Sequence, residues 1–208
     1  MASSEPPRRY ATLVIDMQND FVADGGVLPR AGLNNAAAKA IVPRVRELVE
    51  WSRAAGLPVL WVKMIWHRDE DVGVLAERSP FLRHEGLRAG TWGAELVAGL
   101  TAAPGEPVVE KRRFSAFFGT GIDDRLRALT VTGLLVAGVR TDFCVESTVR
   151  DAFFRDYRVL VVRDCVAGYV AELHDHSLRV MGTVFAQVAR LDEVPTLIRV
   201  PTMRESPK

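Results

Sequence analysis

Three side chains in this sequence could together make a hydrolytic centre: the carboxylate of Asp16, the ammonium of Lys111 and the thiol of Cys144. A thiol becomes a good nucleophile when a neighbour takes its proton, and a buried carboxylate stays ionised beside it when a cation balances its charge. Each of the three falls at or just beyond the end of an apolar run. Asp16 follows Tyr10-Ala-Thr-Leu-Val-Ile15, Lys111 follows Pro107-Val-Val-Glu110, and Cys144 comes shortly after Leu134-Leu-Val-Ala-Gly-Val139. Taken singly, each has an ordinary explanation. An Asp at a strand end caps a loop, a Lys in the run Lys111-Arg-Arg is solvated, and a lone Cys packs in a core. As a set they point to attack of a thiol on a carbonyl carbon, with a carboxylate as proton acceptor and an ammonium holding the charges in place.

The elements that must position these groups alternate between two periods. Short, almost wholly apolar runs suit strands buried on both faces: 10–15, 57–65, 107–110, 134–139, 158–162 and 186–191. Between them lie helical patterns. Ile41, Val45, Leu48 and Val49 recur at i, i+4, i+7, i+8 within Asn35 to Ala55, which Gly56 closes; Pro43 implies that the first turns are kinked or separate. Further helices are expected around Ile122, Leu126 and Leu129, around Val145, Val149, Ala152 and Phe153, and around Ser177, Leu178, Met181, Val184 and Phe185. Alternating β and α units predict a three-layer α/β/α sandwich around a six-stranded parallel sheet; if its order is the doubly wound 3-2-1-4-5-6, strands one and four are neighbours where the order reverses. Such sheets bind ligands beyond the carboxyl ends of their strands, where the strand order reverses. Asp16 would then face Cys144 across that point, with Asp164-Cys165 following strand five. Thr141 or Asp142 is the expected N-cap of the helix after strand four, which places Cys144 in its first turn, where the helix terminus and Lys111 favour thiolate. The polar stretch from His67 to Gly93 has little periodicity and reads as a long surface excursion of the kind that carries function.

Bulk composition narrows the class. The 208 residues are 48% hydrophobic and 25% charged, with 27 Lys+Arg against 26 Asp+Glu. This fits one globular domain over 10–200, with an expected disordered tail at 1–9 and a C-terminal tail at 201–208, and gives no bulk charge for nucleic acid or an anionic membrane. No run is long and apolar enough to span a bilayer, and no export segment is visible in MASSEPPRRY. Two cysteines make no disulfide framework, so a reducing cytoplasm is expected. Cys165 is expected to be structural.

Three blocks carry a resemblance: ATLVIDMQNDF at Ala11–Phe21, EKRRFSAF at Glu110–Phe117 and GVRTDFCVESTVRDA at Gly138–Ala152. They resemble, in order and separation, the signature blocks of the isochorismatase-like cysteine hydrolases, and the likeness runs from about Tyr10 to Val200. The resemblance implies a catalytic triad of Asp16, Lys111 and Cys144. It also implies an oxyanion hole from the backbone N–H groups of Arg140 and Cys144, helped by a cis peptide at Val139–Arg140. The implied reaction is C–N hydrolysis of a small amide or ureido substrate through an acyl-enzyme. Retention of Cys144 favours this over the vinyl ether hydrolysis of true isochorismatases, and Gly90-Thr-Trp-Gly-Ala94 leans towards the branch acting on ureido and carbamoyl amides.

Positions matching the family's substrate contacts nominate Phe21, Trp92, Phe118 and Phe143 as pocket walls, with Gln18 and Gln187 as polar contacts. The Arg140 side chain would either orient a substrate carboxylate or point to solvent. No cofactor is implied. The nicotinamidase branch adds a metal site after strand two, but only Trp66-His67-Arg68-Asp69 stands there; His84 is distant, and His174 and His176, two apart on a helix, cannot share a face. A homodimer or homotetramer is expected by resemblance. Two other classes compete: a silent binding module of the same fold, and a thiol redox protein, for which Cys165 is the sole, poorly placed, resolving cysteine.

Overall fold

The computed structural model describes residues 9–198. The expected tails lie outside these residues except for Arg9, which is tied down: its carbonyl accepts from the backbone N–H of Thr132 and Gly133. Six strands form one parallel sheet, β1 (Tyr10–Ile15), β2 (Val59–Met64), β3 (Val108–Lys111), β4 (Gly133–Val139), β5 (Arg158–Ala167) and β6 (Gln187–Ala189), in the order β3-β2-β1-β4-β5-β6. This is the predicted order, with β1 and β4 adjacent at its reversal. Every residue of β1, β2 and β4 is buried. Since side chains alternate between faces, both faces of the sheet are covered, as a three-layer sandwich requires.

The helices follow the apolar spacing. Helix α1 (Val42–Ala54) buries Val45, Leu48, Val49 and Ser52 against the sheet, and Pro43 lies in its first turn, where a missing N–H costs nothing. The preceding turns form a separate short helix, Ala36–Ala40. Gly56, at φ +68°, lets the chain leave α1 towards β2. Helices α2 (Ile122–Ala128), α3 (Glu146–Phe153) and α4 (Ala171–Val180) complete the repeated units.

Strand β5 departs from expectation. The polar pair Arg163-Asp164 interrupts its apolar run, yet the strand continues to Ala167, so Asp164 and Cys165 lie within it. Asp164 accepts from the Leu191 N–H, and the buried thiol of Cys165 meets the Arg44 carbonyl at 3.3 Å, a structural role. The register between β4 and β5 shifts between Val136 and Gly138. Gly138 has φ +120°, and a Cβ there would sit 1.9 Å from the Ile15 carbonyl oxygen. Only glycine lets the ends of β1 and β4 approach this closely. Among the described residues no helix is long and apolar enough to cross a membrane.

Candidate active site

Asp16 is the first residue past β1 and adopts φ +53°, a left-handed conformation uncommon outside glycine, secured by its N–H donating to Val62. Lys111, the last residue of β3, crosses beneath the ends of the strands to place Nζ 2.7 Å from Asp16 Oδ2. Both side chains are wholly buried. The ammonium also donates to the Arg113 carbonyl. Among the described residues, Asp16 Oδ1 is the one buried side-chain nitrogen or oxygen left without a hydrogen bond.

Cys144 stands beside this pair, its thiol interacting with both Asp16 and Lys111. It lies in a π-helical turn, Thr141–Val145, that joins β4 to α3. Neither Thr141 nor Asp142 caps that turn, contrary to expectation. The Thr141 hydroxyl is hydrogen-bonded to His174 Nδ1 on α4, and Asp142 is committed to Arg140. The peptide Val139–Arg140, at the head of the turn, is cis.

The electrostatics correct the expected thiolate. Burial, and then the Asp16 charge, push the Cys144 thiol up; Lys111 pulls the other way and is outweighed. Burial raises the Asp16 carboxyl above its ordinary range despite Lys111. Burial alone would lower Lys111, but Asp16 and Cys144 hold it up as an ammonium. Burial thus disfavours the thiolate at rest, beside a carboxyl that has one oxygen without a hydrogen bond and a proton affinity above that of a solvated Asp.

A cavity of about 260 Å³ opens over Cys144. Its walls include Phe21 and Phe143, two of the four nominated aromatics, with Leu28, Met64, Leu82 and Phe114. The 67–93 excursion closes one side through Leu75, Ser79, Phe81, Leu82 and Leu87. Trp92 and Phe118 are instead 58% and 65% exposed and do not line it. Gln18 is buried with its amide spent on the backbone: Nε2 donates to the Met64 and Ala94 carbonyls, and Oε1 accepts from the Met64 N–H. Gln187 is on β6 beside a different surface depression. Arg140 does not point to solvent. Its guanidinium pairs with Asp142 at 2.7 Å and lies over the rings of Phe143 and Tyr169, 4.1 and 4.9 Å from their centroids.

Several residues of consequence were not singled out from the sequence. Asn19 donates to the Trp92 carbonyl, while Asp20 accepts from the N–H of Val27 and of Leu87, so the segment after Asp16 fastens the excursion over the cavity. The run of polar residues directly after a buried strand was the available signal. Gly93 fits because any Cβ would strike the Asp20 carboxylate. Tyr169, whose hydroxyl donates to the Phe21 carbonyl, was hidden because β5 runs longer than its apolar core. His67 pairs with Glu110, and His84 with Asp69; among the described residues no three His, Cys, Asp or Glu side chains gather in a metal-holding cluster.

Residues 10–193 match the isochorismatase domain family. The chain belongs to the isochorismatase family. It is 34% identical, over 94% of its own length and 82% of the relative's, to a ureidoacrylate amidohydrolase, RutB, of Methylobacterium radiotolerans. Among solved structures, an isochorismatase family protein from Desulfovibrio vulgaris superimposes with a TM-score of 0.83 at 36% identity, covering 91% of this chain and 98% of that one. An N-carbamoylsarcosine amidase from Thermoplasma acidophilum gives 0.71 at 29% identity, covering 89% and 98%. The three blocks that carried the resemblance contain the buried pair, the turn bearing Cys144 and the polar clamp at 18–20, so the family's sequence signature coincides with the residues around this cavity.

Proposed function

We propose that this isochorismatase-family chain is a cysteine hydrolase that cleaves the C–N bond of a small amide or ureido compound, with Asp16, Lys111 and Cys144 as its catalytic residues. The observation that carries the reading is the buried Asp16 carboxylate, its Oδ1 without a hydrogen bond, beside the Cys144 thiol at the wall of the cavity. Relatives named for hydrolysis of ureidoacrylate and N-carbamoylsarcosine support the C–N bond as the target, and the vinyl ether alternative is not favoured.

In this mechanism the thiol proton passes to Asp16 Oδ1 as sulfur attacks the carbonyl carbon. Lys111 keeps the carboxylate ionised before transfer and balances the charge that develops on sulfur. The backbone N–H groups of Arg140 and Cys144 hold the tetrahedral oxyanion; one such donor contributes on the order of a hundredfold in rate. Collapse breaks the C–N bond, the nitrogen leaves with the proton from Asp16, and a thioester remains on Cys144. Water then attacks the thioester, giving one proton to Asp16, and release of the acid returns that proton to the thiol.

Two free, buried cysteines support a reducing, cytoplasmic setting. The same reading includes a homodimer or homotetramer, for which the exposed apolar side chains Phe154, Val184 and Leu173 offer contact surface. The test is ammonia release from a panel of primary amides and ureido compounds by the wild type and by Cys144→Ala. Release that the substitution abolishes is expected. Release that survives it would remove the thiol from the mechanism.

A further inference from the structure

The cavity over Cys144 is apolar to a degree that a charged substrate would not match. Among the described residues, the lining side chains bearing polar groups are Ser79, Arg140, Trp66 and Cys144. Trp66 spends its indole N–H on the Arg112 carbonyl, and Cys144 is the proposed nucleophile. Arg140 is the one cation on the wall, and its charge is already answered. Asp142 accepts from both Nε and Nη2, at 3.3 and 2.7 Å, and the faces of Phe143 and Tyr169 cover the guanidinium. The Asp142 side chain is itself 5% exposed, so this is an interior pair and not a solvent-screened contact.

A carboxylate entering such a space would lose its hydration without meeting an unbalanced positive charge, which is unfavourable. An alkyl or aryl group entering it would exchange water for Leu28, Leu75, Leu82, Phe114 and Phe143, which is favourable in proportion to the apolar area removed from water. The volume, about 260 Å³, lies just below the usual ~300–1,000 Å³ of small-molecule sites. It suits a compact branched or aromatic group.

We infer that the substrate is an uncharged primary amide or urea whose remaining part is apolar, and that the Asp142-neutralised Arg140 excludes ureido acids and amide acids from this site. The inference rests on the hydrolase reading above and narrows its substrate class. It also separates this chain from its named relatives, since ureidoacrylate and N-carbamoylsarcosine both carry a carboxylate.

Two matched pairs test it, each replacing a carboxylate by the isosteric isopropyl group: succinamate against 4-methylpentanamide, and N-carbamoylglycine against isobutylurea. Ammonia release by the wild type gives kcat/KM for each. Ligand-observed NMR titrations onto Cys144→Ala, and onto the wild type for any compound it leaves intact, give relative binding. The apolar member of each pair is expected to lead by at least about tenfold in both measurements. Equal or reversed preference, or no binding by either apolar member, would overturn the inference. If none of the four is hydrolysed but the binding preference holds, the hydrolase reading fails for these compounds and the assignment of the cavity stands. A Leu75→Arg variant adds an unpaired cation to the wall from a half-buried position and is expected to shift the preference towards succinamate. The wild-type comparison stays decisive if that variant does not fold.

Discussion

Lys111 Nζ and Asp16 Oδ2 are 2.7 Å apart with neither side chain reaching solvent, although the two residues lie at the ends of β3 and β1 with β2 between them. The contact divides the labour of the carboxylate: Oδ2 is engaged by the ammonium, and Oδ1 accepts no hydrogen bond. Asp16→Asn preserves shape but removes both the charge and the proton acceptor. It is expected to lower kcat by about a hundred- to ten-thousand-fold. It also leaves Lys111 as an uncompensated buried cation, a defect that costs about 3–5 kcal/mol when one partner of such a pair is lost. Steady-state kinetics and urea unfolding of the same preparation separate the two effects. Wild-type turnover in this variant would exclude Asp16 as the base.

The acid limb of the pH profile follows from the same geometry. Burial raises the Asp16 carboxyl above its ordinary value of 3.8, with Lys111 opposing. A protonated Asp16 cannot accept the thiol proton, so kcat/KM should fall as pH drops through this raised value, at a pH above the usual carboxylate range. Lys111→Met removes the opposing charge and should move the limb further up. A profile that stays flat down to pH 4 for the wild type would contradict the assignment.

How far this centre could be read from sequence depends on what each residue's position required. Asp16, Lys111 and Cys144 each sit at or near the end of an apolar strand, and a parallel sheet collects strand ends on one edge, so periodicity alone brought them together. Periodicity does not fix the order of the strands, for which 3-2-1-4-5-6 is the expectation from doubly wound sheets. The cavity walls were not legible in the pattern. Phe21 and Phe143 were nominated only because they match family positions, and Leu28, Leu75 and Leu82 come from short turns with no periodic pattern. Tyr169 was lost because β5 continues through Arg163-Asp164, of which Asp164 is answered by the neighbouring Leu191 N–H. The state of the thiol was misjudged because helix-terminus and Lys111 effects are visible in sequence, while the burial that outweighs them is not.

Gly138 joins the two halves of the site. With φ +120° and a Cβ position 1.9 Å from the Ile15 carbonyl oxygen, Gly138→Ala must push apart the ends of β4 and β1, which carry Cys144 and Asp16. A loss of about 3 kcal/mol or more is expected, which for a chain of this size is a fall in Tm of roughly 6–12 °C. Calorimetry checks the stability, and ammonia release checks the accompanying loss of activity. A variant with unchanged Tm would show that the strand ends can yield at this point without cost.

Glu106 provides a stability prediction away from the chemistry. It sits just before β3 and ties that strand to its neighbours: it accepts from Arg53 at the end of α1, from the indole N–H of Trp61 on β2 at 2.7 Å, and from the Ala103 N–H. Burial opposes its ionisation, but these donors outweigh burial and hold the carboxyl down at about 2, against an ordinary 4.5. A depressed carboxyl stabilises the fold fully above its unfolded value and loses that contribution as pH falls through the folded one. The window is therefore from about pH 4.5 down to about 2, and the contribution at neutral pH is on the order of 3 kcal/mol. Glu106→Gln should be destabilised by an amount of that order at pH 7, and its deficit relative to the wild type should shrink as the pH is lowered through the window. Urea unfolding at pH 7, 4 and 3 measures this directly. A deficit that does not change with pH would mean that Glu106 acts through shape and neutral hydrogen bonds, without the linked proton that its position at the foot of β3 implies.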